Sequence, residues 1–233
     1  MTDLSSCKTN LIGITERADP TVNWKWLPWV REGKPAILVT KNPGSLLPML
    51  DKADNVIVHC TITLMGGSIL EPNIPKPEKA MADYHKVCSF LGSERVVLRI
   101  DPIIEIKGIE ALKTLASEAE GRVRVSFLDL YPHVRRRLEK AGISTGERTF
   151  HLPVLERINA WRELGKPEVC AEPGLPSTPC VSKVDCEILG VKPSTKLKGQ
   201  RRECKCLANK VELCHWPPKC TYGCLYCYWK EGV

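Results

Sequence analysis

Cys220-Thr-Tyr-Gly-Cys224-Leu-Tyr-Cys227 sets three thiols at intervals of three and two intervening residues, late in a 233-residue chain. Thiolates so spaced suit two metal chemistries. They can wrap three irons of a cubane four-iron cluster and leave the fourth iron without a protein ligand. They can also supply part of a tetrahedral zinc site closed by Cys204, Cys206 or Cys214. A zinc ribbon shows two separated Cys-x-x-Cys knuckles, and here only Cys224/Cys227 has that interval, which favours iron and sulfide. Nine of the twelve cysteines fall between Cys170 and Cys227. Disulfides would staple the whole chain, whereas a metal centre gathers its ligands in one region. Met1 to Lys8 carry no signal pattern and no run of about 18 apolar residues exists, so a cytoplasmic protein with no membrane span is expected.

Such ligands need a frame. Apolar, β-branched runs predict strands near 11–15, 36–40, 55–63, 95–100, 122–127 and 168–171. Amphipathic stretches between them predict helices near 22–30, 44–53, 76–91, 108–119, 133–141 and 153–164. Strands without strict polar alternation are buried on both faces, and alternating units of this kind build a parallel sheet. Each strand ends in residues a core would not choose, among them Glu16, Lys41, Thr61, Arg99, Ser126 and Glu172. In parallel α/β folds that end carries the site. The expectation is an α/β fold, a partial (βα)6 TIM-like barrel over 1–173. A cysteine-rich iron–sulfur tail, 174–233, then folds over the barrel mouth. Few apolar residues lie in that tail, so metal ligation is expected to supply its folding energy.

Cys-x3-Cys-x2-Cys is similar to the signature of the radical S-adenosylmethionine superfamily, whose fold is a full or partial βα barrel. The C-terminal position of the triplet departs from the usual site after the first strand. It resembles one family of radical-SAM-like proteins related to spore photoproduct lyase. Phrases along nearly the whole chain carry that likeness: Thr40-Lys41-Asn42-Pro43, Leu70-Glu71-Pro72-Asn73, Arg99-Ile-Asp101-Pro102, Ser126-Phe-Leu-Asp129-Leu-Tyr131, Cys170-Ala-Glu172 and Gly199-Gln200-Arg201. The resemblance implies a 4Fe–4S cluster on Cys220, Cys224 and Cys227, whose open iron takes the amino and carboxylate groups of S-adenosylmethionine. It also aligns Cys170, Cys180, Cys204 and Cys206 with recurring cysteines, enough for a second 4Fe–4S cluster or a zinc ion. Cys186 and Cys214 are additional.

For the cofactor pocket, Thr61 and Thr63 suit hydrogen bonds to methionyl or ribose groups, and Arg99 suits either the carboxylate or a mouth-lining salt bridge with Asp101. Asp101 or Glu172 would accept from the amino group or ribose, with Ser126 beside them. Asp129 and Tyr131 are the candidates for substrate contact, Tyr131 either as a hydrogen-atom relay or as a packed aromatic. The histidines lack ligand spacing, His215 in the tail being the one exception. From Lys192 to Lys210 seven basic residues stand against Glu203, a stretch that suits nucleic acid phosphates, a solvated loop or a counter-charge for anionic clusters. Trp24, Trp26 and Trp29 offer either base-stacking surfaces or core packing, and Arg135, Arg136 and Arg137 either phosphate contacts or a solvated face. The leading expectation is a radical enzyme acting on a modified thymidine or other nucleobase in DNA, reduced by an external donor of flavodoxin or ferredoxin type. Against it stand a zinc-stabilised nucleic-acid-binding module without catalysis and an electron-transfer or scaffold protein with closed clusters.

Overall fold

The computed structural model describes residues 9–50, 55–106, 108–146, 150–199, 202–214 and 220–229. Six strands follow the apolar runs: β1 (Ile12–Ile14), β2 (Ala36–Thr40), β3 (Val56–Thr61), β4 (Val96–Ile103), β5 (Arg122–Phe127) and β6 (Glu168–Val169). Between them come α1 (Leu27–Arg31), α2 (Pro43–Leu46), α3 (Pro77–Leu91), α4 (Ile109–Ser117), α5 (Pro132–Lys140) and α6 (Val154–Glu163). A seventh helix, α7 (Lys183–Ile188), and strand β7 (Lys210–Glu212) come from the tail.

All seven strands are parallel, in the order β6-β5-β4-β3-β2-β1-β7. Crossovers between successive strands carry α1, α2, α3, α4 and α6 to one face, whereas α7 packs on the other and α5 packs against the cysteine loop. The sheet curls into a half-barrel. Alternation along each strand separates its two faces. Leu38, Val58 and Leu98 pack outward with Trp26, Tyr84 and Val87 from the helical layer. Ile37, Ile57 and Val97 face the other way, against Val181, Val191 and Leu207 of the tail. Each such buried aliphatic contributes about 1.5–3 kcal/mol.

The tail is therefore part of the sheet's packing, with β7 docked beside β1 and Leu213 N–H bonded to the Ile14 carbonyl at 2.8 Å. Three local expectations are corrected, each for a covalent reason. The helix expected over 44–53 stops at Leu46 and tightens into a 3-10 turn, Leu47–Met49, because Pro48 has no N–H to continue an α-helix. The first helix starts as a 3-10 turn, Trp24–Trp26, and becomes α-helical only where Pro28 occupies its first turn. Strand β6 ends at Val169 because Ala171 turns into the left-handed region, φ 52°. Trp26 is wholly buried, and Trp24 is exposed.

Candidate functional site

A cavity of about 450 Å³ opens at the carboxyl ends of the strands, within the range of small-molecule sites. Glu16 from the end of β1, Lys41 after β2, Thr61 on β3, Arg99 and Asp101 on β4 and Ser126 on β5 all line it. Cys170 joins them just beyond β6, and Lys210 from β7. Opposite lie Cys220, Cys224 and Cys227 with Tyr222, Tyr226 and Tyr228. Thr61, Arg99, Arg124 and Glu168 stand in one hydrogen-bonded row across β3 to β6.

The three-cysteine end is gripped by side chains from α5 and from the loop between β3 and α3. Arg137 on α5 donates through Nε to the Leu225 carbonyl at 3.0 Å, and through Nη2 to the Cys227 carbonyl. Asn73 donates to the Thr221 carbonyl at 2.8 Å, and the Cys227 N–H returns to the Cys224 carbonyl at 3.3 Å. Burial pushes the Cys224 thiol up to about 12, with the Lys41 ammonium pulling the other way. Burial also raises Cys220, while the backbone N–H groups of Asp19 and Tyr222 donate to its sulfur. Thiols held protonated by burial become thiolates when a cation takes the proton's place.

Four more cysteines form a chain of contacts at the other end. Cys170 Sγ lies 3.4 Å from Cys180 Sγ, and the Cys180 N–H donates to Cys206 Sγ at 3.3 Å. Cys204 in turn contacts Cys206. Hydrogen bonds from the Cys170 and Cys206 thiols, with the nearby Arg99 and Arg124 charges, draw the Cys180 thiol well below the usual thiol range despite its burial. Among the described residues no three His, Cys, Asp or Glu side chains converge as the ligands of one metal ion. Every sulfur named for the purpose except Cys206 lines the cavity, and Cys206 touches two that do.

Of the other expected site residues, Arg99 is ion-paired with Asp101, whose Oδ1 accepts from Ser126 at 2.5 Å. The Arg99 charge holds the Asp101 carboxyl below the usual range despite burial. Tyr131 is half-exposed at the rim, stacked on His133 with ring centres 5.8 Å apart and edge-on to Tyr228 at 5.4 Å. Thr63, Asp129 and Glu172 do not line the cavity. Thr63 donates to Glu71 at 2.6 Å. Glu172 receives Arg157 Nη1 at 2.6 Å and the Phe127 N–H at 2.8 Å, and Asp129 receives the same Arg157 nitrogen at 3.3 Å. The motif phrases placed these three at the site, but the buried Arg157, which no motif marks, draws two of them into a structural network.

The sequence reading also missed Glu71, which is fully buried and bonded by Lys41, Thr63 and Tyr226. Its only signal was its place in the Leu70-Glu71-Pro72-Asn73 phrase. Glu16 was read only as a strand end; burial raises its carboxyl to about 7, the Cys180 thiolate adding to the rise and its ion pair with Lys210 opposing it. Lys210 is thereby removed from the basic stretch. Lys192, Lys196, Lys198, Arg202 and Lys205 of that stretch are exposed; Arg201, Gln200 and His215 lie outside the described residues. Arg137 belongs to neither a solvated face nor a phosphate site, being buried against the cysteine loop. No helix among the described residues is long and apolar enough to cross a membrane.

No curated protein and no solved structure matches the chain. A family model described as a domain of unknown function, DUF1848, matches residues 32–229, which takes in β2 to β7, the cavity lining from Val39 onward and all seven candidate cysteine ligands. The chain belongs to the DUF1848 family.

Proposed function

We propose that this protein is a radical S-adenosylmethionine enzyme built on the half-barrel. The observation that carries the reading is that Cys220, Cys224 and Cys227 line the same cavity as Thr61, Arg99, Asp101 and Ser126. When bound, a reduced 4Fe–4S cluster would supply one electron to cleave S-adenosylmethionine and give a 5′-deoxyadenosyl radical. The three cysteines would hold that cluster. Arg99, oriented by Asp101, offers its guanidinium to a carboxylate; Thr61 and Ser126 offer hydroxyls to a ribose or amino group. Tyr131, half-exposed beside Tyr228, is the candidate hydrogen-atom relay.

Cys170, Cys180, Cys204 and Cys206 would ligate a second, closed centre, an iron–sulfur cluster or zinc. Five exposed cations between Lys192 and Lys205 run into that cysteine group. They support a polyanionic partner, for which a nucleobase in DNA is the preferred substrate. An acidic electron donor of the flavodoxin or ferredoxin type suits the same charge. The zinc-stabilised binding module without catalysis explains the cations and cysteines but leaves the polar strand ends unused.

The test is protein purified without oxygen. Reconstituted with iron and sulfide it should turn brown and change its electron paramagnetic resonance spectrum when S-adenosylmethionine is added. With dithionite it should release 5′-deoxyadenosine, and Cys224→Ala should abolish both that product and the response to S-adenosylmethionine. A colourless protein carrying stoichiometric zinc would sink the reading.

A further inference from the structure

One charged group stands at the three-cysteine end for no reason that folding requires. Lys41 follows β2, and its backbone N–H is fixed by Asp19 Oδ2 at 2.7 Å. Its ammonium is drawn inward, donating to Glu71 Oε1 at 2.8 Å and to the Asp101 carbonyl at 3.1 Å, 5.4 Å from the centre of the Tyr226 ring. Glu71 is held from its other side by Thr63 and by the Tyr226 hydroxyl. Tyr226 lies between Cys224 and Cys227 in the chain, so one buried carboxylate ties the cysteine loop and the lysine together. Burying an ion pair costs desolvation that its own attraction only partly offsets, so it is weak evidence for a stabilising role.

An ammonium has three N–H donors. Among the described residues two have partners, which leaves one for an acceptor in the cavity. Lys41 lines the same cavity as Cys220, Cys224 and Cys227, and its ammonium faces the ring of Tyr226, which stands between the last two of them. Arg99 serves the opposite end: after Asp101, the negative groups that act on it most are Cys180 and Cys170.

We propose that Lys41, locked by Glu71, Thr63 and Tyr226, is the positioning residue of the three-cysteine centre, supplying the positive charge that holds the Cys224 thiolate on its metal and sets how readily that metal accepts an electron. The proposal rests on the reading of Cys220, Cys224 and Cys227 as metal ligands. It explains why a lysine, a compact charge on a flexible stem, is held at the cavity by a buried carboxylate that is itself pinned from its other side.

The experiment compares the wild type with Lys41→Met, Lys41→Arg and Glu71→Gln, all reconstituted without oxygen. Reduction midpoint, rate of metal loss to a chelator and melting temperature are read for each. Lys41→Met should lower the midpoint by at least 59 mV, the one-electron equivalent of a tenfold change, and lose metal at least tenfold faster. Lys41→Arg, which keeps charge but not shape, should stay within threefold of wild type on both, and Glu71→Gln should move the midpoint upward. Overturning results are a Lys41→Met protein with unaltered midpoint and retention, an arginine variant as damaged as the methionine variant, or lysine and glutamate variants shifted the same way. Where Lys41→Met does not melt cooperatively the other two decide: an upward shift in Glu71→Gln with Lys41→Arg unmoved supports the role, and an unmoved or lowered Glu71→Gln midpoint ends it. A wild type that holds zinc would defeat the iron–sulfur reading, while the retention comparison would still judge Lys41.

Discussion

Arg157 is the interior residue whose loss should cost most. It is nearly fully buried on α6 and donates to Glu172, Asp129, His151 and the carbonyls of Leu152 and Leu128. Replacing it with Met keeps much of the volume but strands the Glu172 carboxylate, whose side chain has no exposure. Removing one partner of a buried pair costs about 3–5 kcal/mol. At about 2–4 °C per kcal/mol for a chain of this length, the melting temperature should fall by about 6–20 °C. The loss should also depend on pH. Burial already raises the Glu172 carboxyl, and Arg157 opposes that rise; without the guanidinium it rises further. A folded-state pKa above the unfolded value contributes stability that is complete below the unfolded pKa and lost as pH rises through the folded one. Arg157→Met should therefore be closer to wild type at pH 5 than at pH 8. Urea unfolding followed by tryptophan fluorescence, together with Glu172→Met and the double variant, measures the coupling. The double variant should recover about 2 kcal/mol relative to the sum of the singles. A loss below about 1 kcal/mol for Arg157→Met, or strict additivity, would refute the reasoning.

Further expectations follow from the same geometry. Glu16, raised from 4.5 to about 7 mainly by burial, makes the metal-free protein lose about 3 kcal/mol between pH 4.5 and 8 as it ionises, since each unit is worth about 1.4 kcal/mol; Glu16→Gln should flatten that limb of a plot of melting temperature against pH. His59 is fully buried, and neither ring nitrogen has a partner among the described residues. Burial and then Arg124 and Arg99 keep it neutral, so folded protein should lose stability below pH 6.5 as the unfolded chain takes the proton. His59→Leu should raise stability by about 1 kcal/mol, most visibly at pH 5, because an unsatisfied buried polar group is removed. Gly13 on β1 lies where any Cβ would run into the Leu213 side chain. Gly13→Val should loosen β7 and the tail, detected as faster amide exchange at Leu213; exchange unchanged there would show that the tail docks without β1.

Composition and periodicity were enough to define the βα units. All six predicted strands keep their places to within three residues, because runs such as Ala36–Thr40 and Arg122–Phe127 are long enough to leave little choice of period. Cysteine spacing likewise marked the loop that lines the cavity, since Cys-x3-Cys-x2-Cys is a local pattern needing no long-range contact to be seen. The tail was legible only in part. β7 is three residues long, Lys210–Glu212, and carries no alternation; it is a strand only because β1 offers it a free edge and Gly13 lets Leu213 come close. Which polar residues reach the cavity was likewise a tertiary decision. Thr63, Asp129 and Glu172 read like Thr61, Asp101 and Ser126 in the chain, but each is held by a buried partner that no local pattern marks, Glu71 for Thr63 and Arg157 for Asp129 and Glu172. A strand end tells which residues emerge near a mouth, and only the packing of charges around them tells which are held back in the interior.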